Sequence, residues 1–327
     1  MNMVMVTGVS GFIGQALCAR LLADGFRVRA VVRRDGGRVA GRDGNRAARE
    51  QVVVGNIGPD TDWATALHGK VDCVIHTAAR VHVMTETVAA PLAAFREVNV
   101  VGTRHLAEQA AAAGVRRFVY LSSVKVLGEE TRPGKPFVES DQPWPLDAYA
   151  VSKWEAEQEL LALAAKTGLE VVIIRPPLVY GPGVRANFLA MMRWLDKGIP
   201  LPFGAIDNQR SLVALANLVD LMVTCLAHPA AANQVFLAAD GEDLSTTELL
   251  RRLGKALGKP ARLLPVPARL LTAGAVLFGK RHLAQRLCGS LQVDIGKVRR
   301  MLGWQPPMSV DAALDAAARH FRETSAS

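Results

Sequence analysis

Tyr149-Ala-Val-Ser-Lys153 carries a phenol and an ammonium four residues apart, a spacing that on a helix puts both groups on one face. A neighbouring ammonium favours phenolate and lowers the tyrosine pKa towards the range of acid–base work. Upstream, Phe118-Val-Tyr-Leu121 reads as a strand that ends in Ser122-Ser123. A hydroxyl there can hydrogen-bond the same substrate oxygen that Tyr149 protonates. A Tyr-x-x-x-Lys pair alone is commonly a surface coincidence, so its context decides.

That context starts at the first strand. Thr7-Gly8-Val9-Ser10-Gly11-Phe12-Ile13-Gly14 follows an apolar run and opens a helix. Glycines so spaced allow a tight turn, close backbone approach to a pyrophosphate, and close helix–strand packing. Exposed N–H groups at the helix start supply anion binding. The second strand ends in Val32-Arg33-Arg34, where an NAD site places an acidic residue. A guanidinium there pairs with a 2′-phosphate, which favours NADP(H); NAD stays possible through Asp35.

Elements that position such a site alternate along the first half. Strand-like runs fall at Val4–Thr7, Val28–Val32, Val52–Val54, Cys73–His76, Phe118–Leu121 and Val171–Ile174. Helix-like stretches lie at Ile13–Ala23, Trp63–Leu67, Leu92–Ala113 and Ala148–Ala165. The pattern predicts an α/β fold: a Rossmann-type doubly wound parallel sheet covered on both faces. Residues 1–175 form that dinucleotide-binding domain, whose sheet can take in segments up to about residue 240. Prolines 176, 177, 182, 200 and 202 then break the rhythm. Residues 176–327 read as a smaller, mostly helical substrate lobe interleaved with the first domain. The stretches Arg34–Arg49 and Glu129–Pro145 are expected to be mobile.

The 327 residues are 50% hydrophobic, which excludes general disorder. A net charge of +9 admits an anionic partner, but the basic residues come in scattered pairs without interleaved aromatics or a zinc-finger spacing. No nucleic-acid partner is therefore expected. Four separated cysteines, Cys18, Cys73, Cys225 and Cys288, argue for buried thiols in a reducing compartment. Met1–Thr7 lacks a basic leader, and the apolar run Leu270–Gly279 is too short to span a bilayer. A cytoplasmic protein without stable membrane insertion is expected. His76 reads as a satisfied core histidine, and Leu249–Leu257 and Leu263–Phe278 as core of the lobe rather than an outward apolar face.

Taken together, these motifs resemble the extended short-chain dehydrogenases/reductases, in the branch of NAD(P)-dependent nucleotide-sugar epimerases, dehydratases and reductases. The resemblance covers essentially the whole chain. It implies Ser123, Tyr149 and Lys153 as catalytic residues, with Lys153 also holding the nicotinamide ribose. For the cofactor it implies Gly8, Ser10, Gly11, Phe12, Ile13 and Gly14, then Asn56 and Ile57 at the adenine. Thr77, Ala78 and Ala79, Asn99, Leu121 and Pro176 complete that set beside Arg33 and Arg34. For the substrate it implies Ser122, Ser123 and Lys125 at the sugar, and Asn187, Phe203, Arg210 and Asp294 from the lobe. Arg175-Pro-Pro-Leu-Val-Tyr-Gly resembles the family's Arg-x-x-Asn-x-x-Gly segment, with Leu178 in place of the asparagine. Asp294-x-x-Lys297 to Pro306 is similar to its C-terminal signature, with Leu302 and Trp304 packing the lobe.

The implied activity is hydride transfer at C4 of a UDP-sugar. Arg33, Arg34 and Leu178 place NADPH-dependent reduction of a UDP-4-keto-6-deoxy-N-acetylhexosamine, in surface-polysaccharide biosynthesis, first. A UDP-glucose or UDP-N-acetylglucosamine 4-epimerase with tightly bound NAD is the alternative. A 4,6-dehydratase ranks lower because Val124 and Lys125 stand where its Asp-Glu pair would be. A non-catalytic nucleotide-binding regulatory protein is more remote, since both Tyr149 and Lys153 are present. The resemblance also implies a homodimer, paired through Leu92–Ala113 and Ala148–Ala165.

Overall fold

Strands that are apolar on both faces must lie between two helical layers. In the computed structural model, which describes residues 3–34, 49–81, 91–132, 134–277, 285 and 287–325, they do. The main sheet contains β1 (Met3–Thr7), β2 (Arg27–Val32), β3 (Arg49–Val53), β4 (Cys73–His76), β5 (Arg117–Leu121), β6 (Glu170–Arg175) and β9 (Gln234–Leu237). Their order is β3-β2-β1-β4-β5-β6-β9, with every neighbour parallel. The order reverses between β1 and β4, the crevice where doubly wound sheets bind ligands.

One face of the sheet is covered by α1 (Phe12–Ala23) and α7 (Leu215–Ala227), through Leu17, Leu21, Leu218 and Met222. The other is covered by α4 (Gly102–Ala112) and α5 (Ala148–Thr167), through Leu106, Ala110, Ala156 and Leu160. Each fully buried leucine or methionine among these contributes about 1.5–3 kcal/mol. Leu92–Ala113 is not one regular helix. α3 (Pro91–Arg96) passes through a π-helical turn, Glu97–Val101, into α4, and Asn99 sits in that turn. Such turns cluster at functional sites.

Several strands begin one residue earlier than their apolar runs, because the charged residue finds partners. Arg117 is 1% exposed; it pairs with Glu170 and donates to the carbonyls of Cys225, Leu226 and His228.

The lobe has its own core of Tyr180, Phe188, Leu195, Leu212, Leu253 and Phe321. Its small sheet, β10-β8-β7, joins β7 (Leu178–Tyr180), β8 (Arg210–Ala214) and β10 (Asp243–Leu244). Around it lie α6 (Ala186–Asp196), α8 (Thr246–Ala256) and the terminal helix Val310–Ser325.

Three expectations need correction. Within the Glu129–Pro145 stretch, Thr131 N donates to Ser290 O, Phe137 N to Gln292 O and Trp144 N to Val126 O, so its backbone is tied down. Leu302 and Trp304 join the core beneath the main sheet rather than that of the lobe, with Trp304 Nε1 donating to Asp220. Leu249, Leu250, Leu253 and Leu257 are buried as expected, but α9 (Ala268–Leu277) contains no buried residue. Of the Arg34–Arg49 stretch, residues 35–48 lie outside the described residues.

Candidate active site

The glycine loop follows β1. Gly8 takes a φ of +73°, and a Cβ there would lie 2.6 Å from Thr77 Oγ1. Gly11 N donates to Gly8 O, and Gly11 caps α1 with no side chain filling the helix start. α1 has no acidic residue in its first turn. Gly14 packs hardest: a Cβ there would sit 2.2 Å from Gly8 O. Ser10 and Gly11 are exposed, while Phe12 and Ile13 are half-buried. Open N–H groups, a bare helix terminus and backbone free of Cβ atoms fit a dinucleotide pyrophosphate. Gly14→Ala is expected to abolish dinucleotide binding and to destabilise the fold by about 1–3 kcal/mol. Fluorescence titration with NAD(H) and NADP(H), alongside urea unfolding, reads both effects.

Across the crevice, Thr77 Oγ1 donates to Thr7 O at 2.6 Å and Ala78 N donates to Thr7 Oγ1 at 3.3 Å. Thr77, Ala78 and Ala79 are half-buried. His76 is 1% exposed between Thr7 Oγ1 and Thr103 Oγ1, and burial pulls its pKa down to about 3. It is a neutral core histidine. Asn99 is also buried; it donates to Arg80 O and Ser152 Oγ and accepts from Arg80 N, bracing the loop after β4 against α5. Asn56 is exposed, and Ile57 packs towards Gly102. Arg33 and Arg34 are exposed at the end of β2; Asp35 lies outside the described residues.

α5 starts at Asp147, whose Oδ1 accepts from Ala150 N at 2.7 Å. The cap fixes the first turn, and with it Tyr149. Lys153, one turn on and 2% exposed, donates from Nζ to Leu121 O at 2.8 Å. Its Nζ lies 4.5 Å from the Tyr120 ring centroid and 5.9 Å from that of Tyr149. Phe95 meets the Tyr149 ring edge-on. The expected electrostatics are corrected here. Burial, with Asp147 adding to it, pushes the Tyr149 phenol well above its ordinary pKa, while burial pulls Lys153 down to about 7. Lys153 is buried and Tyr149 half-buried, and the loss of water around each disfavours its charged form. The chain's own residues thus favour the phenol form of Tyr149 over the phenolate.

The two serines after β5 divide their work. Ser122 is buried, and its Oγ donates to Glu157 at 2.5 Å, so it braces the sheet instead of facing a sugar. Glu157 is fully buried and also accepts from Arg175 Nε and Nη2. Ser123 is half-buried, and its Oγ accepts from Lys125 N, leaving its O–H to donate. Pro176 is buried, and its carbonyl accepts from Val124 N, holding the turn that carries Ser123. The expectation for Lys125 is also corrected. Its Nζ is bound at 2.6 Å by both Glu129 and Asp147, linking the Ser123 turn to the cap of α5. Asp147 and Glu157 were missed by sequence reasoning. Asp147 stands at the N-cap position before the helix, and Tyr149, Lys153 and Glu157 repeat at four-residue spacing along one face.

The lobe's expected residues are less gathered. Asn187 is exposed on the first turn of α6, and Phe203 is half-buried with its carbonyl accepting from Thr247. Arg210 Nη1 donates to Gly289 O. Asp294 accepts from Gly296 N and lines a separate open cleft with Glu139, Val235, Lys297 and Arg300. None of that cleft's lining residues belongs to the Ser123–Tyr149–Lys153 group.

The model of the NAD dependent epimerase/dehydratase family matches residues 4–239. A UDP-glucose 4-epimerase of Vibrio cholerae is 47% identical over 320 residues, covering 97% of this chain and 95% of that protein. The solved UDP-glucuronic acid 4-epimerase of Bacillus cereus, in complex with NAD, superposes with a TM-score of 0.77. It is 21% identical, covering 98% of this chain and 99% of its own. The UDP-glucose 4-epimerase of Thermotoga maritima, solved with UDP-glucose, gives 0.76 at 23% identity with the same coverage.

Proposed function

The chain belongs to the NAD dependent epimerase/dehydratase family, among the extended short-chain dehydrogenases/reductases, and on that premise we propose that it is a UDP-sugar 4-epimerase. The observation that carries the choice is the near-full-length relation, at 47% identity, to the UDP-glucose 4-epimerase of Vibrio cholerae. It moves the reading from the reductase, which the sequence motifs placed first, to the epimerase. UDP-glucose is the proposed substrate.

A dinucleotide of the NAD(P) type, when bound, accepts a hydride and returns it. The loop Gly8–Gly14 and the start of α1 would hold its pyrophosphate, and Lys153 its nicotinamide ribose. Ser123 donates to the sugar O4 and fixes it beside Tyr149. For the O4 proton to pass to Tyr149 as C4 is oxidised to a 4-keto sugar, Tyr149 must stand as the phenolate; the positive charge of an oxidised nicotinamide beside it would favour that form over the phenol that the chain's own residues favour. Return of that proton from Tyr149 to O4, with C4 reduced again on its opposite face, would give the epimer. No net redox change results, so a retained cofactor serves every turnover. Lys153 and Asp147 act on Tyr149 through charge and position.

Arg33 and Arg34 support a 2′-phosphate on the cofactor, whereas the Bacillus cereus neighbour carries NAD. Mass spectrometry of the dinucleotide released from purified protein separates the two. Pairing of two copies through α4 and α5 rests on the family resemblance, and light scattering tests it.

Purified protein mixed with UDP-glucose and no added cofactor is expected to form UDP-galactose. Failure there, with sustained oxidation of free NADPH by a UDP-4-keto-6-deoxy-N-acetylhexosamine, would establish the reductase.

A further inference from the structure

The chain's charge is not evenly spread. Residues 249–293 contain nine lysines and arginines and no Asp or Glu, which equals the whole net charge of +9; the remainder is neutral. Part of this excess is balanced by acids from elsewhere. Arg252 meets Glu242, Glu248 and Asp311, and Lys259 meets Asp196. Lys255, Arg262 and Arg269 are exposed and make no ion pair among the described residues.

α9 lies in the middle of this segment. Its sequence, Ala-Arg-Leu-Leu-Thr-Ala-Gly-Ala-Val-Leu, is almost wholly apolar, yet none of its residues is buried. Ala268, Leu271, Gly274 and Ala275 are half-covered by the body of the protein. The outer face carries Arg269, Leu270, Val276 and Leu277. Leu270 is 64% exposed and Leu277 86%, and their seven-residue spacing aligns them. Leu264, in the segment leading to the helix, is 52% exposed. A ten-residue helix is marginal in water unless its apolar side is covered.

We propose that α9 docks this protein on an anionic lipid surface, with Leu270, Val276 and Leu277 entering the acyl boundary and Arg269 at the headgroups. Aligned leucines on a basic, acid-free segment have the chemistry of an interfacial helix. A polyanion such as nucleic acid accounts for the charge and leaves the leucines unexplained. A second copy of the chain accounts for the leucines, but it would set two basic segments against each other. No helix among the described residues is long and apolar enough to cross a membrane, so the association is peripheral. The proposal is independent of the reaction catalysed.

Flotation of the full chain with vesicles of phosphatidylglycerol and phosphatidylcholine in equal parts tests it. The protein is expected to float with these vesicles, not with phosphatidylcholine alone, and to be released at high salt. Leu270→Glu/Leu277→Glu is expected to weaken vesicle binding at least about tenfold, because it removes the apolar anchor. Both positions are exposed and outside the proposed catalytic group, so turnover of UDP-glucose is expected to stay unchanged. Absence of wild-type flotation overturns the proposal, as does flotation that the double substitution leaves intact. Loss of a dimer in the double variant, without wild-type vesicle binding, assigns the face to a second copy instead.

Discussion

Tyr149→Phe is expected to lower turnover by about 10²–10⁴-fold while leaving dinucleotide binding nearly unchanged. The substitution removes one oxygen and keeps the ring that packs edge-on against Phe95. The cap from Asp147 to Ala150 N and the bond from Lys153 to Leu121 O do not involve the phenol. The proton on the sugar O4 then loses the acceptor proposed for it. Steady-state kinetics with UDP-glucose, paired with a cofactor titration, separate the two effects. Near-normal turnover in this variant would remove Tyr149 from the chemistry.

Glu157→Ala is expected to destabilise the fold by about 3–5 kcal/mol, because it leaves the Arg175 guanidinium buried without its counter-charge. Arg175 is 3% exposed and Glu157 is fully buried. Two groups depend on that carboxylate: the Arg175 fork and the Ser122 hydroxyl. Because Ser122 precedes Ser123, the same change is expected to loosen the proposed catalytic hydroxyl and lower turnover in the protein that still folds. Arg175→Met combined with Glu157→Met is expected to recover most of the stability, since neither charge is then buried. Urea midpoints of the wild type and the two variants check this. A loss below about 1 kcal/mol for Glu157→Ala would mean that the pair behaves like an exposed ion pair.

Much of the site-bearing half was legible because its signals are local. A glycine loop between strand and helix, alternating βα periods and a four-residue Tyr–Lys spacing each declare themselves within a few residues. Five strands of the main sheet follow from apolar runs that two-sided burial demands; the edge strand β3, Arg49–Val53, starts three residues before the expected Val52–Val54 and has an exposed Val53. The seventh, Gln234–Leu237, is four residues long and gains its meaning only from pairing with β6, some 60 residues earlier. The family resemblance implies Ser122 and Lys125 at the sugar. Their partners, Glu157 and the Glu129–Asp147 pair, are set by tertiary packing that composition does not reveal. The direction of the Tyr149 pKa was misjudged for a related reason: spacing gives the ammonium, whereas burial, the larger influence, is a property of the folded chain. α9 shows the opposite failure. Its apolar composition reads as core, but the fold supplies nothing to cover its outer face.

The central claim is that the sugar is oxidised and re-reduced at C4 by one retained cofactor. UDP-glucose carrying deuterium at C4, incubated with the purified protein in ordinary water without added dinucleotide, tests it most directly. The account predicts UDP-galactose that keeps its deuterium at C4, with no NADH or NADPH accumulating in solution. Product that has lost the label to water, or conversion that requires a continuous supply of free NADPH, would contradict it.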